Sequence, residues 1–417
     1  MFPLSHMMKS FIRKGRLTVI DADGQRHIFA GTPGPEVTMR LTDKRLYRTL
    51  LFNPELAAGE AYMDGTMRFE DGSTLRDFLT LFSINRLSLG SYPLQKALRA
   101  IKMRFRKRQQ SNVKGEAQRN VAHHYDLGND FYRLFLDENM LYSCAYFRDM
   151  GETLEQAQRN KLRLLASKLC LADGMRVLDI GCGWGDLALY LAKLENVHVT
   201  GVTLSKEQQK LASERARQAG LSDRVTFELR DYRDVDDKFD RIVSVGMFEH
   251  VGPSNYLRYF RKAAELLDKD GVMLLHSIGQ PTPPLVNNPF FEKYIFPGGY
   301  IPSLAEVLPA VQKAGLVVRD IEIMPRHYAR TLRLWRERFL ARKEEVIRLY
   351  DERFVRMWEF YLAGSEMAFT HQGFFIFQMQ LARNTFAVPD TRGYMAEREA
   401  SLAAFDATRP PLEEVTY

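Results

Sequence analysis

Residues 176–191 read RVLDIGCGWGDLALYL, and this stretch predicts the fold of the chain. A short apolar run meets glycines at Gly181, Gly183 and Gly185, and an apolar pattern with helical spacing begins at Leu187. A strand, a tight turn and a helix in this order form the first unit of a doubly wound α/β sheet. Glycine suits the turn because it adopts backbone angles that a Cβ forbids and lets a ligand approach the main chain.

The spacing of these glycines narrows the choice of cofactor. The turn reads G-x-G-x-G with Asp179 just before it, whereas the dinucleotide fingerprint G-x-G-x-x-G fails because the third glycine comes one position early. An acid before a G-x-G-x-G turn resembles the S-adenosylmethionine site of Rossmann-like methyltransferases. A glycine-rich turn alone is also compatible with an ordinary loop between strand and helix.

Further βα units follow the glycine turn, and polar residues follow their strands. Because ligands bind at the carboxyl ends of open α/β sheets, we expect Thr203–Ser205, Asp231–Tyr232, Glu249 and His276 to converge with the glycine turn on one crevice. The second strand lacks the usual carboxylate for the ribose hydroxyls, so Thr203 or Gln208 would have to replace it. The strands are predicted at Val197–Val202, Val225–Leu229, Arg241–Val245, Gly271–Leu275, Val317–Glu322 and Phe374–Ala382.

The bulk composition sets limits on the class of protein. A chain of 417 residues allows two domains, and 45% hydrophobic residues suffice for an ordinary core. No apolar run approaches the roughly 20 residues that cross a bilayer, and the N-terminus lacks the order of a secretory signal. The three cysteines, Cys144, Cys170 and Cys182, have no metal-like spacing. The composition therefore predicts a reduced, cytoplasmic protein without a metal site.

The charge is unevenly distributed. The formal net charge is +7, and much of the excess lies in residues 96–108, where apolar residues alternate with basic ones. Such a segment suits an anionic lipid surface or RNA, but a solvated linker is an equally good interpretation. The basic residues are Lys96, Arg99, Lys102, Arg104, Arg106, Lys107 and Arg108.

These patterns predict three regions. Residues 1–90 form a small α+β module that begins with a β-hairpin around Asp23-Gly24. Residues 91–115 form a basic linker, and residues 116–417 form the catalytic domain. Within the last region, the aromatic-rich segment 120–147 is more often packing than chemistry, but its position beside the glycine turn leaves open that it covers the cofactor. The long loop 280–303, rich in Pro, Gly and aromatic residues, suggests an apolar substrate.

Taken singly, two residues of the expected crevice and one cysteine before the first strand have ordinary interpretations. An isolated glutamate such as Glu249 is usually solvated or ion-paired, and a lone histidine such as His276 is usually structural. Cys144 could be a nucleophile, but without a base nearby in the sequence it is more often buried.

Seven motifs that occur in order favour a catalytic role for these residues over the ordinary interpretations. Together the motifs resemble the cyclopropane-fatty-acyl-phospholipid synthases of the mycolic acid cyclopropane synthase family. The resemblance runs from about Val121 to Arg383 and is weaker over the N-terminal module. It implies a class I methyltransferase fold. The motifs are HHYDLGNDFYRLFLD, YSCAYF, VLDIGCGWGDLA, GVTLSKEQ, SVGMFEHVG, LLHSIG and YIFPGGYIPS.

The resemblance implies methyl transfer from S-adenosylmethionine to a cis double bond of a phospholipid acyl chain. A carbocation forms, and a bound bicarbonate removes a proton so that a cyclopropane ring closes. It further implies a homodimer associated peripherally with the inner face of the cell membrane, docked by the N-terminal module. The implied bicarbonate site is Cys144, Glu249, His276, Ile278 and Tyr328. The implied cofactor site is Tyr125, Ser143, Gly181, Gly183, Thr203, Leu204, Gln208, Asp231 and Tyr232.

Three other functions are weighed against this one. A relative with the same cofactor site could release a methyl-branched, methylene or hydroxylated chain instead of a ring. A nucleic-acid methyltransferase would fit the basic charge, but base-amino methylation calls for an Asn/Asp-Pro-Pro-aromatic motif where this chain has Gly246-Met247-Phe248-Glu249-His250. A lipid-binding protein with a degenerate core would have lost cofactor residues, and the expected ones are present.

Overall fold

The structure, a computed structural model, describes residues 1–98, 100, 127–281 and 288–408. The chain divides into two compact units. The first comprises Met1–Gln109, Leu285–Pro297 and Leu332–Phe374, and the second comprises Gln110–Pro284, Gly298–Thr331 and Phe375–Tyr417. This grouping differs from the expected division, in which all residues after 115 belong to one domain, because two later segments join the first unit. Most of the basic linker, 91–115, lies outside the described residues.

The described helices include several with strong N-terminal caps. Thr153 and Gln156 form a capping box at the start of α6, and Thr74 and Asp77 form one at the start of α4. The helices are α1 (Leu4–Phe11), α2 (Leu46–Phe52), α3 (Pro54–Met63), α4 (Leu75–Ser91), α5 (Asn129–Arg133), α6 (Leu154–Leu169), α7 (Asp186–Leu194), α8 (Lys206–Gln218), α9 (Tyr256–Leu266), α10 (Pro289–Tyr294), α11 (Leu304–Lys313), α12 (His327–Ala341), α13 (Lys343–Leu349), α14 (Glu352–His371) and α15 (Gly393–Ala407).

The described strands form two sheets, one in each unit. The first sheet contains β1 (Lys14–Ile20), β2 (Arg26–Ala30), β3 (Thr32–Leu41) and β4 (Met67–Glu70). The second contains β5 (Arg176–Ile180), β6 (His198–Thr203), β7 (Val225–Leu229), β8 (Phe239–Val245), β9 (Leu267–Gly279), β10 (Val317–Met324) and β11 (Phe375–Ala382).

The first unit carries the four-stranded sheet, in the order β2-β1-β3-β4. The predicted hairpin is confirmed, because β1 and β2 pair antiparallel with Leu17 opposite Phe29. The turn between them contains Gly24 at φ +84°, a value that favours glycine. β3 pairs parallel with β1 and antiparallel with β4.

The second unit carries a seven-stranded sheet in the order β10-β11-β9-β8-β5-β6-β7. Strands β9, β8, β5, β6 and β7 are parallel, and β11 runs antiparallel between β9 and β10. The predicted doubly wound sheet is confirmed. β9 is longer than predicted and continues to Gly279, because β11 supplies a hydrogen-bonding partner along its whole second half.

Side chains of the central strands alternate between two buried layers, as the pleat of a strand requires. Leu178, Ile242 and Leu275 belong to the core shared with α9 and α11. Val177 and Val243 belong to the core on the other face, shared with α6, α7 and α8. Because both faces are covered, the sheet presents only its ends and loops for binding.

Neither a membrane-spanning helix nor a cluster of metal ligands occurs in the described ranges. Within residues 1–98, 127–281 and 288–408, no helix combines the length and the apolar character needed to span a bilayer. In the same ranges, no three His, Cys, Asp or Glu side chains come together in a way that could hold a metal ion.

Candidate active site

A cavity lies at the carboxyl ends of β5, β6, β7 and β8, where the sequence predicts a cofactor. Tyr125, one residue of the expected cofactor set, lies outside the described residues. The other expected cofactor residues all line this cavity: Ser143, Gly181, Gly183, Thr203, Leu204, Gln208, Asp231 and Tyr232.

The three glycines of the turn have distinct physical roles. All have positive φ, at +84° for Gly181, +54° for Gly183 and +87° for Gly185. A Cβ at Gly185 would lie 2.5 Å from the ring of Phe227, so packing against β7 excludes a side chain there. A Cβ at Gly183 would meet no described atom within 4 Å, so this position opens toward the cavity. The turn therefore lets a ligand approach the backbone at Gly183.

At the end of β6, the missing carboxylate is replaced by a hydroxyl–amide pair. The Thr203 Oγ1–H group donates to Gln208 Oε1 at 2.9 Å, and both residues are buried. With its oxygen engaged, the Gln208 amide keeps N–H donors. Such donors can bind hydroxyl oxygens, as expected of a ribose-binding position.

The carboxylate at the end of β7 is paired within the protein. Arg233 Nε and Nη2 donate to Asp231 at 2.8 and 2.6 Å, and the two side chains are 11% and 6% exposed. This bidentate geometry fixes the carboxylate at the cavity wall. Sequence reasoning identified Asp231 but missed Arg233, two residues later.

Lys161 is a cavity residue that sequence reasoning missed. It lies on α6, is 1% exposed, and its Nζ donates to Ser143 Oγ at 2.7 Å. Burial lowers the pKa of Lys161 to about 8, while Asp137, Cys144 and Asp186 oppose that shift. A signal was present in the sequence, because Lys161 and Lys168 lie seven residues apart on the apolar face of α6.

Asp179, the acid before the glycine turn, is buried at the cavity wall. Burial raises its pKa to about 7, and its Oδ2 has no hydrogen-bond partner among the described residues. A buried carboxyl without a partner is costly, which favours a cationic or N–H-bearing ligand group there.

Glu249 and His276 lie outside the lining of the cavity: His276 is 2% exposed, and Glu249 is half-buried with a buried Oε2 atom. Glu249 lies in a 3₁₀ turn after β8, and its Oε1 accepts the backbone N–H of Ile278 at 2.6 Å. His276 pairs with Val245 in the register of β9 and β8, and Val245 lines the cavity. Burial raises the pKa of the Glu249 carboxyl and lowers that of His276 to about 3, so the imidazole is neutral. Glu249 Oε2 and His276 Nε2 are buried without a hydrogen-bond partner among the described residues.

Cys144 and Tyr328 come from two segments that are bonded to each other. The backbone N–H of Ala145 donates to Thr331 Oγ1 at 3.1 Å, and that of Phe147 donates to His327 Nδ1 at 3.1 Å. The segment containing Cys144 is thereby tied to the first turn of α12, which carries Tyr328. Cys144 is 2% exposed, and burial raises the pKa of its thiol, so it remains protonated. A protonated buried thiol is a poor nucleophile.

The single crevice expected from the strand ends is therefore divided. Among the described residues that line the cavity, Gly246, Met247 and His250 come from the loop around Glu249, but Glu249 and His276 themselves do not line it. The physical reason is that Glu249 turns inward to cap the backbone of β9, where Ile278 lies. Cys144, Ile278 and Tyr328 are likewise absent from the described cavity lining.

Comparison with known proteins gives consistent results. A sequence model of the family described as mycolic acid cyclopropane synthetase matches residues 112–379. The chain is 41% identical to the cyclopropane-fatty-acyl-phospholipid synthase of Escherichia coli K12, covering 83% of this chain and 87% of that protein. It is 36% identical to a probable fatty acid methyltransferase of Pseudomonas putida, covering 81% and 84%.

A solved structure extends the comparison to three dimensions. The mycolic acid cyclopropane synthase CmaA1, complexed with SAH and CTAB, is similar with a TM-score of 0.61 and 36% identity. The match covers 63% of this chain and 97% of that structure. This similarity confirms the expected class I methyltransferase fold.

Proposed function

Because the chain belongs to the mycolic acid cyclopropane synthetase family and is an S-adenosylmethionine-dependent methyltransferase acting on unsaturated lipid chains, we propose that its substrate is a phospholipid in the membrane. In this proposal the methyl group is added to a cis double bond of the acyl chain. The resulting carbocation is deprotonated by a bound bicarbonate, and a cyclopropane ring closes. The observation that supports it most directly is a cofactor cavity beside two buried groups with unused hydrogen-bonding capacity.

The cavity fits S-adenosylmethionine, which supplies an electrophilic methyl group when bound. Gly183 opens the turn to close approach, and Gln208 and Asp231 present a donor and an acceptor at neighbouring strand ends. Asp179 offers an unpartnered carboxyl to a cationic group. These residues bind and orient, which is how an enzyme lowers the entropic part of a methyl-transfer barrier.

Glu249 and His276 fit a small oxyanion such as bicarbonate, which supplies a general base when bound. Glu249 Oε2 can accept from an O–H group, and His276 Nε2 faces the interior without a partner among the described residues. Cys144, the Ile278 main chain and Tyr328 complete the proposed site. The burial of His276, Cys144 and the Glu249 Oε2 atom also keeps water away, and water would convert a carbocation to an alcohol.

We also propose where the enzyme acts and how it is assembled. The net charge of +7 and the basic segment 96–108 support peripheral binding to the anionic, cytoplasmic side of the membrane. The proposed roles of residues 1–90 in lipid docking and in forming a homodimer rest on the family resemblance. Neutralising the basic segment should reduce cosedimentation with anionic vesicles, and unchanged sedimentation would exclude this contact.

A single assay tests the proposed reaction. The protein is incubated with S-adenosylmethionine and vesicles of a cis-monounsaturated phosphatidylglycerol, and the released acyl chains are analysed by mass spectrometry. We expect a gain of one CH₂ without a hydroxyl group, and NMR signals of ring protons. Cofactor binding without any change in the acyl chains would refute a phospholipid substrate.

One observation favours a second candidate product. The relative from Pseudomonas putida is named a fatty acid methyltransferase rather than a cyclopropane synthase. An acyl chain with a methylene branch gains the same mass as one with a ring, because both gain one CH₂. The ring-proton signals therefore decide between the two products.

A further inference from the structure

The feature that carries a further inference is a row of polar side chains that crosses three strands and ends at His276. Glu322 on β10 lies opposite Gln378 on β11, and Gln378 lies opposite His276 on β9. Lys168 of α6 contacts the row between Glu322 and Gln378. Gln378 and His276 are 0% and 2% exposed, and Lys168 is 1% exposed. Buried polar groups arranged in this way need every donor matched with an acceptor.

Lys168 fixes the orientation of the Gln378 amide. The ammonium Nζ donates to the carboxylate of Glu322 and, at 2.7 Å, to Gln378 Oε1. An ammonium group has donors only. If the Gln378 NH₂ group faced Lys168, two donors would meet and no hydrogen bond could form. The Gln378 oxygen must therefore face Lys168, and its NH₂ group must face the other way.

The oriented amide in turn fixes the tautomer of His276. Gln378 Nε2 lies 3.2 Å from His276 Nδ1, and because Nε2 is a donor, Nδ1 must be the acceptor. A neutral imidazole has one proton, which is then on Nε2. Burial keeps the ring neutral, since it lowers the pKa of His276 to about 3.

We infer that Gln378, held by Lys168, is a positioning residue that places the His276 proton on Nε2 and makes this atom a hydrogen-bond donor to a bound oxyanion. This inference rests on the proposed function for the identity of the oxyanion. The assignment of the His276 tautomer concerns the protein without substrate and can be tested without turnover. A hydrogen bond to one nitrogen of an imidazole orients the ring and determines whether the other nitrogen carries the proton.

The main test replaces Gln378 by glutamate and reads the tautomer by NMR. A carboxylate at this position accepts from Nδ1–H, so the proton moves to Nδ1 and Nε2 loses its donor, while the contact with Lys168 is kept. The probe is ¹⁵N-histidine-labelled protein. It contains nine histidines, and the His276 signals are assigned by their loss in His276→Gln. We expect protonated Nε2 in the wild type and protonated Nδ1 in Gln378→Glu.

Kinetics give the second readout of the same variant. With the wrong nitrogen protonated, we expect kcat for acyl-chain modification to fall roughly 100-fold, within the range for a misplaced acid–base group. The KM for S-adenosylmethionine should be unchanged, because Gln378 is not among the described residues that line the cofactor cavity.

Gln380→Glu is the matched control. Gln380 follows on the same face of β11 and is 1% exposed, but its Nε2 donates to the Lys168 carbonyl and to Tyr394. This variant should lose stability while the His276 tautomer stays the same. If Gln378→Glu does not fold, Lys168→Met replaces it, and we expect a mixture of both tautomers because the amide can then turn over.

Three outcomes would overturn the inference: protonated Nδ1 in the wild type, an unchanged tautomer in Gln378→Glu, or the same tautomer change in Gln380→Glu. A wild type with protonated Nε2 that modifies no acyl chain would instead refute the proposed function and leave the tautomer assignment standing.

Discussion

The cofactor cavity and the pair Glu249–His276, named here for their shared role in the proposed oxyanion site, lie on the same sheet or next to its strands but satisfy their polar groups in different ways. Around the cavity most polar side chains are already paired within the protein, as Asp231 is with Arg233 and Thr203 with Gln208. In the pair Glu249–His276, each side chain has one atom bonded to the protein and one buried atom bonded to none of the described residues. The cavity is thus preformed for a large ligand, whereas the pair has capacity left for a small one.

Two lysines of α6 extend this comparison. Lys161 contacts Ser143 on the cavity side, and Lys168 contacts Gln378 on the side of His276. Both are 1% exposed, and burial lowers the pKa of both. One helix therefore supports both regions, and the regions can be separated experimentally by changing one residue at a time.

The largest effect is expected from Glu249→Gln, which should lower turnover without changing cofactor binding. We expect Glu249→Gln to lower kcat at least about 100-fold, because it removes the carboxylate that faces the proposed oxyanion. The affinity for S-adenosylhomocysteine, measured by calorimetry, should change less than about twofold, since Glu249 is not among the described residues lining the cavity.

Glu228→Gln is the control for this variant, because Glu228 at the end of β7 has a side chain that is 37% exposed and pairs with Arg230. It should leave both quantities unchanged. If Glu249→Gln instead abolished cofactor binding, Glu249 would belong to the cavity and the two regions would be one.

A smaller effect is expected from replacing Lys161. The one anionic group of S-adenosylhomocysteine is its carboxylate, and Lys161 is a buried cation at the cavity wall. We expect Lys161→Met to weaken S-adenosylhomocysteine binding roughly tenfold, as for loss of a charged hydrogen-bond partner. Binding of 5′-methylthioadenosine, which lacks the amino-acid part, should be unaffected.

Lys168→Met provides the comparison, since this lysine lies on the same helix and is equally buried. It should keep the affinity for both ligands. Equal weakening of both ligands by Lys161→Met would mean that the residue only maintains the shape of the cavity.

The local pattern of the sequence was sufficient for most of the fold and for the cavity. The glycine turn and the strand ends have a recognisable composition, so the predicted bounds of β7 are the observed ones, and every described residue of the expected cofactor set lines the cavity. The cofactor-binding role of these residues, and of Tyr125 outside the described residues, stays a prediction. The C-terminal end of β9 could not be predicted, because it depends on pairing with β11, which lies about 100 residues away in the chain.

The polar contacts of the site were largely beyond sequence reasoning for the same reason. Gln378 reaches His276 across 102 positions, and Lys168 reaches Gln378 across 210. A glutamine in a strand and a lysine in a helix carry no pattern that links them. Cys144 shows the reverse case, because the general tendency of cysteine to be buried predicted its environment from one residue.

The smallest expected effect concerns pH and tests whether His276 is held neutral. Its pKa is about 3 in the folded protein, against an ordinary value of 6.5. Between these values the unfolded chain binds a proton that the folded protein does not, so stability falls as the pH falls from 6.5 toward 3. The variant His276→Gln has no imidazole at this position and does not lose stability in this way. The free energy of unfolding of the wild type, relative to this variant, should therefore decrease by about 1.4 kcal/mol between roughly pH 7.5 and 5.5.

Urea unfolding of both proteins at the two pH values measures this difference. Comparing the wild type with the variant removes the opposing contributions of Asp179 and Glu249, whose pKa values burial raises. His198→Gln, which changes an exposed histidine on β6, is measured in the same way as the control for replacing a histidine by glutamine. A pH-independent difference for His276→Gln would mean that the imidazole takes up a proton in the folded state. The ring would then carry hydrogen on both nitrogens, and Gln378 could not donate to Nδ1. His276 would no longer be a neutral residue with capacity for a small ligand, so it would not differ from the cavity in the way described above.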